Sequence, residues 1–314
     1  MIEFIKVTKL YNTVIGVNDI SLSLQPGIYG LLGPNGSGKT TFINLVMGQL
    51  RPTLGRVHVF GQDPWQCDEL LNRIGLCPAV QANYPFVTGF QWVSYLTQLR
   101  GFKKSTADQY AEKALAVVGM SHAMGRAMSG YSLGMRQRTV LAQAIAHEPE
   151  LLILDEPFNG LDPKGRIEMT QFLKDWVKRG KSLILASHIL HEVEALKPSL
   201  LLISGGRLLA SGSPEQVRSI LADCPNSIRM RCNAPNRLAA LLTSRLDIDS
   251  IRINTAEQEL EIDTRHPVEL LTQVPRLALE NDLSVTEIRS ADESLQEIFT
   301  TLMRIHRGEI RIPG

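Results

Sequence analysis

Residues 33–40 read GPNGSGKT. They stand between an apolar run, residues 27–32 (GIYGLL), and a periodic one, residues 41–50 (TFINLVMGQL). Glycine at three of eight positions marks a turn whose backbone takes dihedrals closed to other residues. Such a turn can converge several backbone N–H groups on one anion. The helix that follows aims its positive end at the same point. Gly33, Gly38, Lys39 and Thr40 match the spacing G-x-x-x-x-G-K-[ST], with Pro34, Asn35, Gly36 and Ser37 inside the loop and Thr41 just after it. In that pattern Lys39 reaches the terminal phosphates and the Thr40 hydroxyl ligates Mg²⁺. A plain glycine-rich turn is the weaker reading, since chance matches arise on the order of once per hundred chains of this length. By itself the loop specifies a nucleoside triphosphate and no more.

A second anchor for the metal lies downstream. Residues 151–157 read LLILDEP, an aliphatic strand that ends in Asp155 and Glu156. In an open parallel sheet, ligands gather at the carboxyl ends of the strands. Asp155 is placed to hold the metal, directly or through water. Glu156 is placed to polarise an attacking water as general base. A surface acidic pair at a strand end is the competing reading.

The rest of the chain frames these motifs. With 314 residues and 44% hydrophobic content it can bury about two domain cores. A net charge of +1 gives no broad reason to bind nucleic acid or an anionic membrane. No apolar run is long enough to cross a bilayer, and the start, MIEFIKVTKL, carries Glu3 and Lys6 and does not read as a secretory signal. Cys67, Cys77, Cys224 and Cys232 form no CxxC pair and read as reduced thiols of a cytosolic protein. Alternating strands are expected near residues 4–11, 19–27 and 56–61, and helices over 105–118 and 134–147. Residues 151–154 and 182–187 read as strands covered on both faces, and residues 199–214 as a hairpin turning on Gly205 and Gly206.

The pattern changes near residue 222. Strands over 228–232, 250–254, 259–264 and 284–289 alternate with helices over 235–244 and 268–281, and a last helix begins near Ser290. This βαββαβ order predicts a small ferredoxin-like α+β module over residues 223–314, beside an α/β P-loop domain over 1–222. In the strand ELEID, Glu259, Glu261 and Asp263 share one face, read as solvated, and Leu260 and Ile262 share the other. The module carries no catalytic constellation. It reads as a regulatory or dimer-stabilising domain, with a purely structural extension equally open.

Several motifs together resemble the ATP-binding subunits of ATP-binding-cassette (ABC) transporters. GPNGSGKTT resembles Walker A, and LLILDEP resembles Walker B with its catalytic glutamate. YSLGMRQR (residues 131–138) stands where the family signature belongs, NGLD (159–162) resembles the D-loop, and His188 in ASH resembles the switch histidine. Tyr11 lies where the family stacks an aromatic ring on adenine. The resemblance implies a cassette with a parallel sheet core, an antiparallel β subdomain and a helical subdomain. It implies ATP and Mg²⁺ as ligands. Ser132 and Gly134 would cap the ATP held by a second copy, so that a homodimer sandwiches two nucleotides. A simple helix cap is the competing reading for that segment, and packing for Tyr11. His188 would touch the γ-phosphate and the attacking water.

The resemblance also implies a separate transmembrane permease as partner, a place at the cytoplasmic face of the cell membrane, and no nucleic-acid partner. The signature variant and the C-terminal module are similar to those of drug, antibiotic or metal-processing exporters. A nutrient importer subunit, a cassette ATPase acting on ribosomes or DNA, and a P-loop kinase are the alternatives. One position departs from the family pattern. Aligned on Pro78, the expected glutamine is Ala79, which can neither ligate metal nor orient water. Either hydrolysis dispenses with that contact or Gln81, two residues on, supplies it, and Gln81 is the expected substitute. Residues 84–88 (YPFVT) form either the contact to the permease coupling helix or a small core cluster.

Overall fold

The computed structural model describes residues 1–79, 84–220, 225–290 and 303. The chain divides into two compact units, Met1–Pro214 and Glu215–Gly314.

The first unit opens with β1 (Ile2–Tyr11), β2 (Val14–Leu24) and β3 (Ile28–Leu32), then α1 (Lys39–Val46) and β4 (Leu54–Val59). β5 (Ile74–Cys77), α2 (Gly89–Leu99), α3 (Lys104–Val117) and α4 (Leu133–Ile145) follow. The unit continues through β6 (Leu151–Asp155), α5 (Pro163–Lys178), β7 (Ser182–Ser187) and α6 (Leu190–Glu194). The hairpin β8 (Ser199–Ser204) and β9 (Arg207–Gly212) closes it, and α7 (Pro214–Ile220) leads out. Its six-stranded sheet has the order β5-β6-β7-β3-β8-β9. The pairs from β5 to β8 are parallel, and β9 is antiparallel to β8. The turn between β8 and β9 uses Gly205 and Gly206, both at positive φ, as a tight hairpin requires.

A second sheet, β2-β1-β4, is antiparallel. It covers α1 on the side away from solvent: the rings of Phe4 and Phe42 stack at 4.5 Å with an interplanar angle of 1°. Around them Ile2, Val7, Ile20, Leu45, Val59 and Leu31 form one buried core. Each such side chain contributes about 1.5–3 kcal/mol by leaving water. This core seats the helix that begins at the phosphate loop, so the loop stands on a rigid base.

The second unit runs β10 (Asn226–Cys232), α8 (Pro235–Arg245), β11 (Ser250–Asn254), β12 (Glu259–Thr264), α9 (Pro267–Glu280) and β13 (Val285–Ser290). Its strands form one antiparallel sheet, β11-β12-β10-β13. Leu238 and Leu242 of α8 and Leu270, Val274 and Leu277 of α9 pack on Ile228, Met230, Leu260 and Ile262. The expected solvated face of β12 is corrected by its neighbours. Glu259, Glu261 and Asp263 are half-buried. Arg229 and Arg252 flank Glu261 at 3.4 and 2.5 Å, and Arg231 lies 3.4 Å from Glu259. Long arginine stems cover the carboxylates, a cross-strand effect that one strand's alternation does not carry. The last expected helix, near Ser290, lies outside the described residues.

Among the described residues no helix is long and apolar enough to cross a membrane. Cys67, Cys77 and Cys232 are free thiols, and Cys224 lies outside the described residues.

Candidate active site

The phosphate loop joins β3 to α1. Gly36 and Gly38 hold φ of 77° and 110°, the left-handed region that glycine enters without steric cost. At Gly33 an added Cβ would meet the carbonyl of Ile203 and the Ser37 hydroxyl. Helix α1 starts at Lys39 with Gly38 as N-cap and no side-chain cap, which leaves its first N–H groups for an external anion. The Lys39 ammonium is buried. It donates to the carbonyls of Gly33 and Pro34 at 2.7 and 3.3 Å and lies 3.9 Å from Glu156 Oε1. Burial draws its pKa down, and the charges of Glu156 and Asp155 oppose that shift.

Asp155 ends β6, a strand buried at every residue because β5 and β7 flank it and its runs are aliphatic. Its Oδ2 accepts from the Thr40 hydroxyl at 3.2 Å. Burial pushes the Asp155 pKa up, the Thr40 bond pulls it down, and Glu156 adds to the rise. A hydroxyl and a carboxylate at this spacing are hard oxygen donors, the type that Mg²⁺ takes in ones and twos beside substrate phosphates. Among the described residues no three His, Cys, Asp or Glu side chains converge as a metal cage.

Glu156 follows directly, with φ of 52° and its N–H bonded to Ala186 O at 2.9 Å. The left-handed turn carries its side chain beside His188, whose Nδ1 lies 2.9 Å from both carboxylate oxygens. Tyr11, residues 35–41, Ala79, Asp155 and Glu156 line one cleft of about 360 Å³. Tyr11 is exposed, and its hydroxyl is 3.4 Å from Thr41 Oγ1. Gly16 lies under its ring, where a Cβ would come within 2.7 Å of Cε2. The structure thus brings the loop, Asp155, Glu156, His188 and Tyr11 together. Ala79, the position of the family glutamine, faces the same cleft. Gln81 lies outside the described residues.

Ser132 and Gly134 are not brought to this cleft. Ser132 is exposed and caps α4 by accepting from Met135 N at 3.2 Å. Residues 84–88 do not form a core cluster: Phe86 is 94% exposed, and Thr88 makes a capping box with Gln91 at the start of α2.

Three residues beside the site carry no sequence expectation. The Ser187 hydroxyl lies between Glu156 and Glu192, and Arg166 pairs with Glu192 at 2.5 Å. They come from β7, α6 and α5 and share no periodicity. The only local signal is an acidic residue four positions past His188. Asp162, inside NGLD, caps α5 by accepting from Gly165 N at 2.9 Å.

Fold and site together define a P-loop ATPase of the cassette type. The sequence profile of ABC transporters matches residues 17–159. The chain is 30% identical over 306 residues to the bacitracin transport ATP-binding protein BcrA of Bacillus licheniformis, covering 96% of this chain and 97% of that protein. It is 31% identical to the daunorubicin/doxorubicin resistance ATP-binding protein DrrA of Streptomyces peucetius, covering 96% and 92%. A solved ATP-binding subunit of an ABC transporter superposes with a TM-score of 0.64 at 22% identity, covering 70% of this chain and 93% of that one. A solved dimeric bacterial ABC transporter cassette superposes with a TM-score of 0.63 at 20% identity, covering 68% and 98%. This chain belongs to the ABC transporter family as an ATP-binding subunit, an ATPase that hydrolyses ATP for transport. The kinase alternative falls with that membership.

Proposed function

We propose that two copies of this chain clamp two ATP molecules and drive a separate permease that exports a drug or antibiotic. The observation that carries this reading is the split anion site. One chain assembles the phosphate loop, two carboxylates and His188 at a cleft, while a second anion-suited helix start, with Ser132 exposed and Gly134 half-buried, stands away from it. A two-fold pairing would bring each helix start to the partner's nucleotide. The export assignment is supported by relatives named for bacitracin transport, for daunorubicin/doxorubicin resistance and, in Bacillus subtilis, for linearmycin resistance.

Within each cleft the loop N–H groups and Lys39 hold the β- and γ-phosphates, and the Tyr11 ring stacks on adenine. Thr40 and Asp155 would hold Mg²⁺. That ion supplies charge neutralisation at the phosphates. Glu156 accepts a proton from the attacking water, and His188 orients the γ-phosphate against it. Ala79 contributes no polar side-chain contact, so either Gln81 takes that role, as we propose, or hydrolysis dispenses with it. ATP must bind the closed dimer better than the open one if it is to shift the population.

Permease docking falls to a second cleft, of about 830 Å³, walled by Leu71, Leu76, Trp92, Leu96 and Arg100. A trough with apolar walls that also carries Asp68, Glu69 and Arg100 suits a short amphipathic helix. Exposed Phe86 and Tyr84 would extend the contact. The protein would then sit at the cytoplasmic face of the membrane through its partner. We place the ATP-binding domain at 1–222 and read 223–314 as a ferredoxin-like regulatory or dimer-stabilising domain. Its support is the βαββαβ order together with the strand order β11-β12-β10-β13.

Sizing of Glu156→Gln with and without Mg-ATP tests the clamp. The expected result is a dimer that appears only with nucleotide. A monomer under both conditions would overturn it.

A further inference from the structure

We infer that Arg166, Glu192 and Ser187 form a positioning relay that holds the Glu156 carboxylate for water activation. The inference rests on the assignment of Glu156 as general base.

The relay crosses four segments. Arg166 stands in the first turn of α5, four residues past the capping Asp162. Its Nη1 meets Glu192 Oε1 at 2.5 Å, and its Nε donates to the Leu161 carbonyl at 3.4 Å. The other Glu192 oxygen lies 3.4 Å from Ser187 Oγ, which lies 3.5 Å from Glu156 Oε2. Ser187 Oγ also accepts from Ile189 N at 3.0 Å, which fixes its oxygen. None of the three residues lines the nucleotide cleft.

A serine hydroxyl has one proton, and here two carboxylates compete for it. Glu192 is 6% exposed, so its charge needs a partner, and Arg166 provides one. With Glu192 engaged by the guanidinium, its pull on the serine proton weakens and Ser187 is free to donate to Glu156. His188 holds the same carboxylate from another side at 2.9 Å. The base is then fixed by two side-chain donors and by its own backbone bond to Ala186. Arg166 also grips the carbonyl of Leu161, within NGLD, so movement of that segment is passed to the hydrolytic carboxylate. The Ser187 contacts are long, so the effect sits well below that of removing Glu156 itself.

The experiment is steady-state ATP hydrolysis by the full chain, with ATP affinity and Tm measured in parallel. Glu192→Gln, Arg166→Lys and Ser187→Ala are each made alone and together with Glu156→Gln. We expect kcat to fall about tenfold in each single variant, equal to about 1.4 kcal/mol of barrier, with KM for ATP within about twofold. In the Glu156→Gln background the residual rate should fall no further, because the relay acts through that carboxylate. Unchanged kcat in both Arg166→Lys and Ser187→Ala overturns the relay. An equal loss with and without Glu156 also overturns it and marks a general structural effect. Should Glu192→Gln fail to fold, the other two variants carry the test. A wild-type rate in Glu156→Gln alone would remove the base assignment, and the relay with it.

Discussion

Two helix starts in the first unit are suited to an anion, and they are built differently. The one at Lys39 is buried, has no side-chain cap, and is ringed by a cation and two carboxylates. The one at Leu133 is exposed, and Ser132 already satisfies one of its N–H groups. The first is a finished pocket for phosphate. The second stands apart from the nucleotide cleft. Under the proposed clamp, binding and turnover would separate: one copy would suffice to hold ATP, whereas hydrolysis would need the other copy's helix.

That contrast can be broken in order of expected effect. Glu156→Gln should lower hydrolysis by about 10²–10⁴-fold with ATP affinity unchanged, read by phosphate release beside a binding titration. Lys39→Ala should weaken ATP binding about 100-fold or more, since a charge-assisted contact in a buried site is lost. Retained affinity in a titration would refute the loop assignment.

The far end of α4 offers a control that titrates with folding alone. His147 follows that helix, and its Nε2 lies 3.2 Å from Ile74 O. Burial, helped by the Arg100 charge, lowers its pKa from 6.5 to about 4. Between those values the unfolded chain binds a proton that the folded chain does not. Stability therefore falls as pH drops through that window, by about 3 kcal/mol when complete. Urea melts across the window should show a shallower acid slope in His147→Gln.

The smaller effects sharpen the comparison. Ser132→Ala should cost about 1 kcal/mol of stability as a lost cap. It should leave ATP binding to one copy intact and lower hydrolysis about tenfold, a split that a cap alone would not give. Tyr11→Ala should weaken ATP binding about fivefold, near the low end for base stacking on an exposed ring. Tyr11→Phe should bind as the wild type does.

How far the sequence foretold this differs by region, for physical reasons. The loop, Asp155 and Glu156 were legible because their spacing is dictated by one ligand, and β6 and β7 because both their faces are buried. Helix α2 is hidden from periodicity. It buries Trp92 and Val93 yet exposes Tyr95 and Leu99, so apolar residues run round it. Helix α5 likewise exposes Ile167 at 72%. The pairing of Arg166 with Glu192 joins residues 26 apart on two helices, and no local pattern encodes it. In the second unit the charges of β12 were legible but their cover was not, because the arginines come from neighbouring strands.

The backbone of Glu156 has a last implication. A side chain other than glycine in the left-handed region is held there against a cost of about 1–2 kcal/mol. The bond from its N–H to Ala186 O ties that conformation to the carboxyl end of β7. The backbone that carries the proposed base is therefore set before nucleotide binds, and only its side chain is left to respond through Ser187 and His188. In the proposed clamp, the arrival of the second copy would then set the timing.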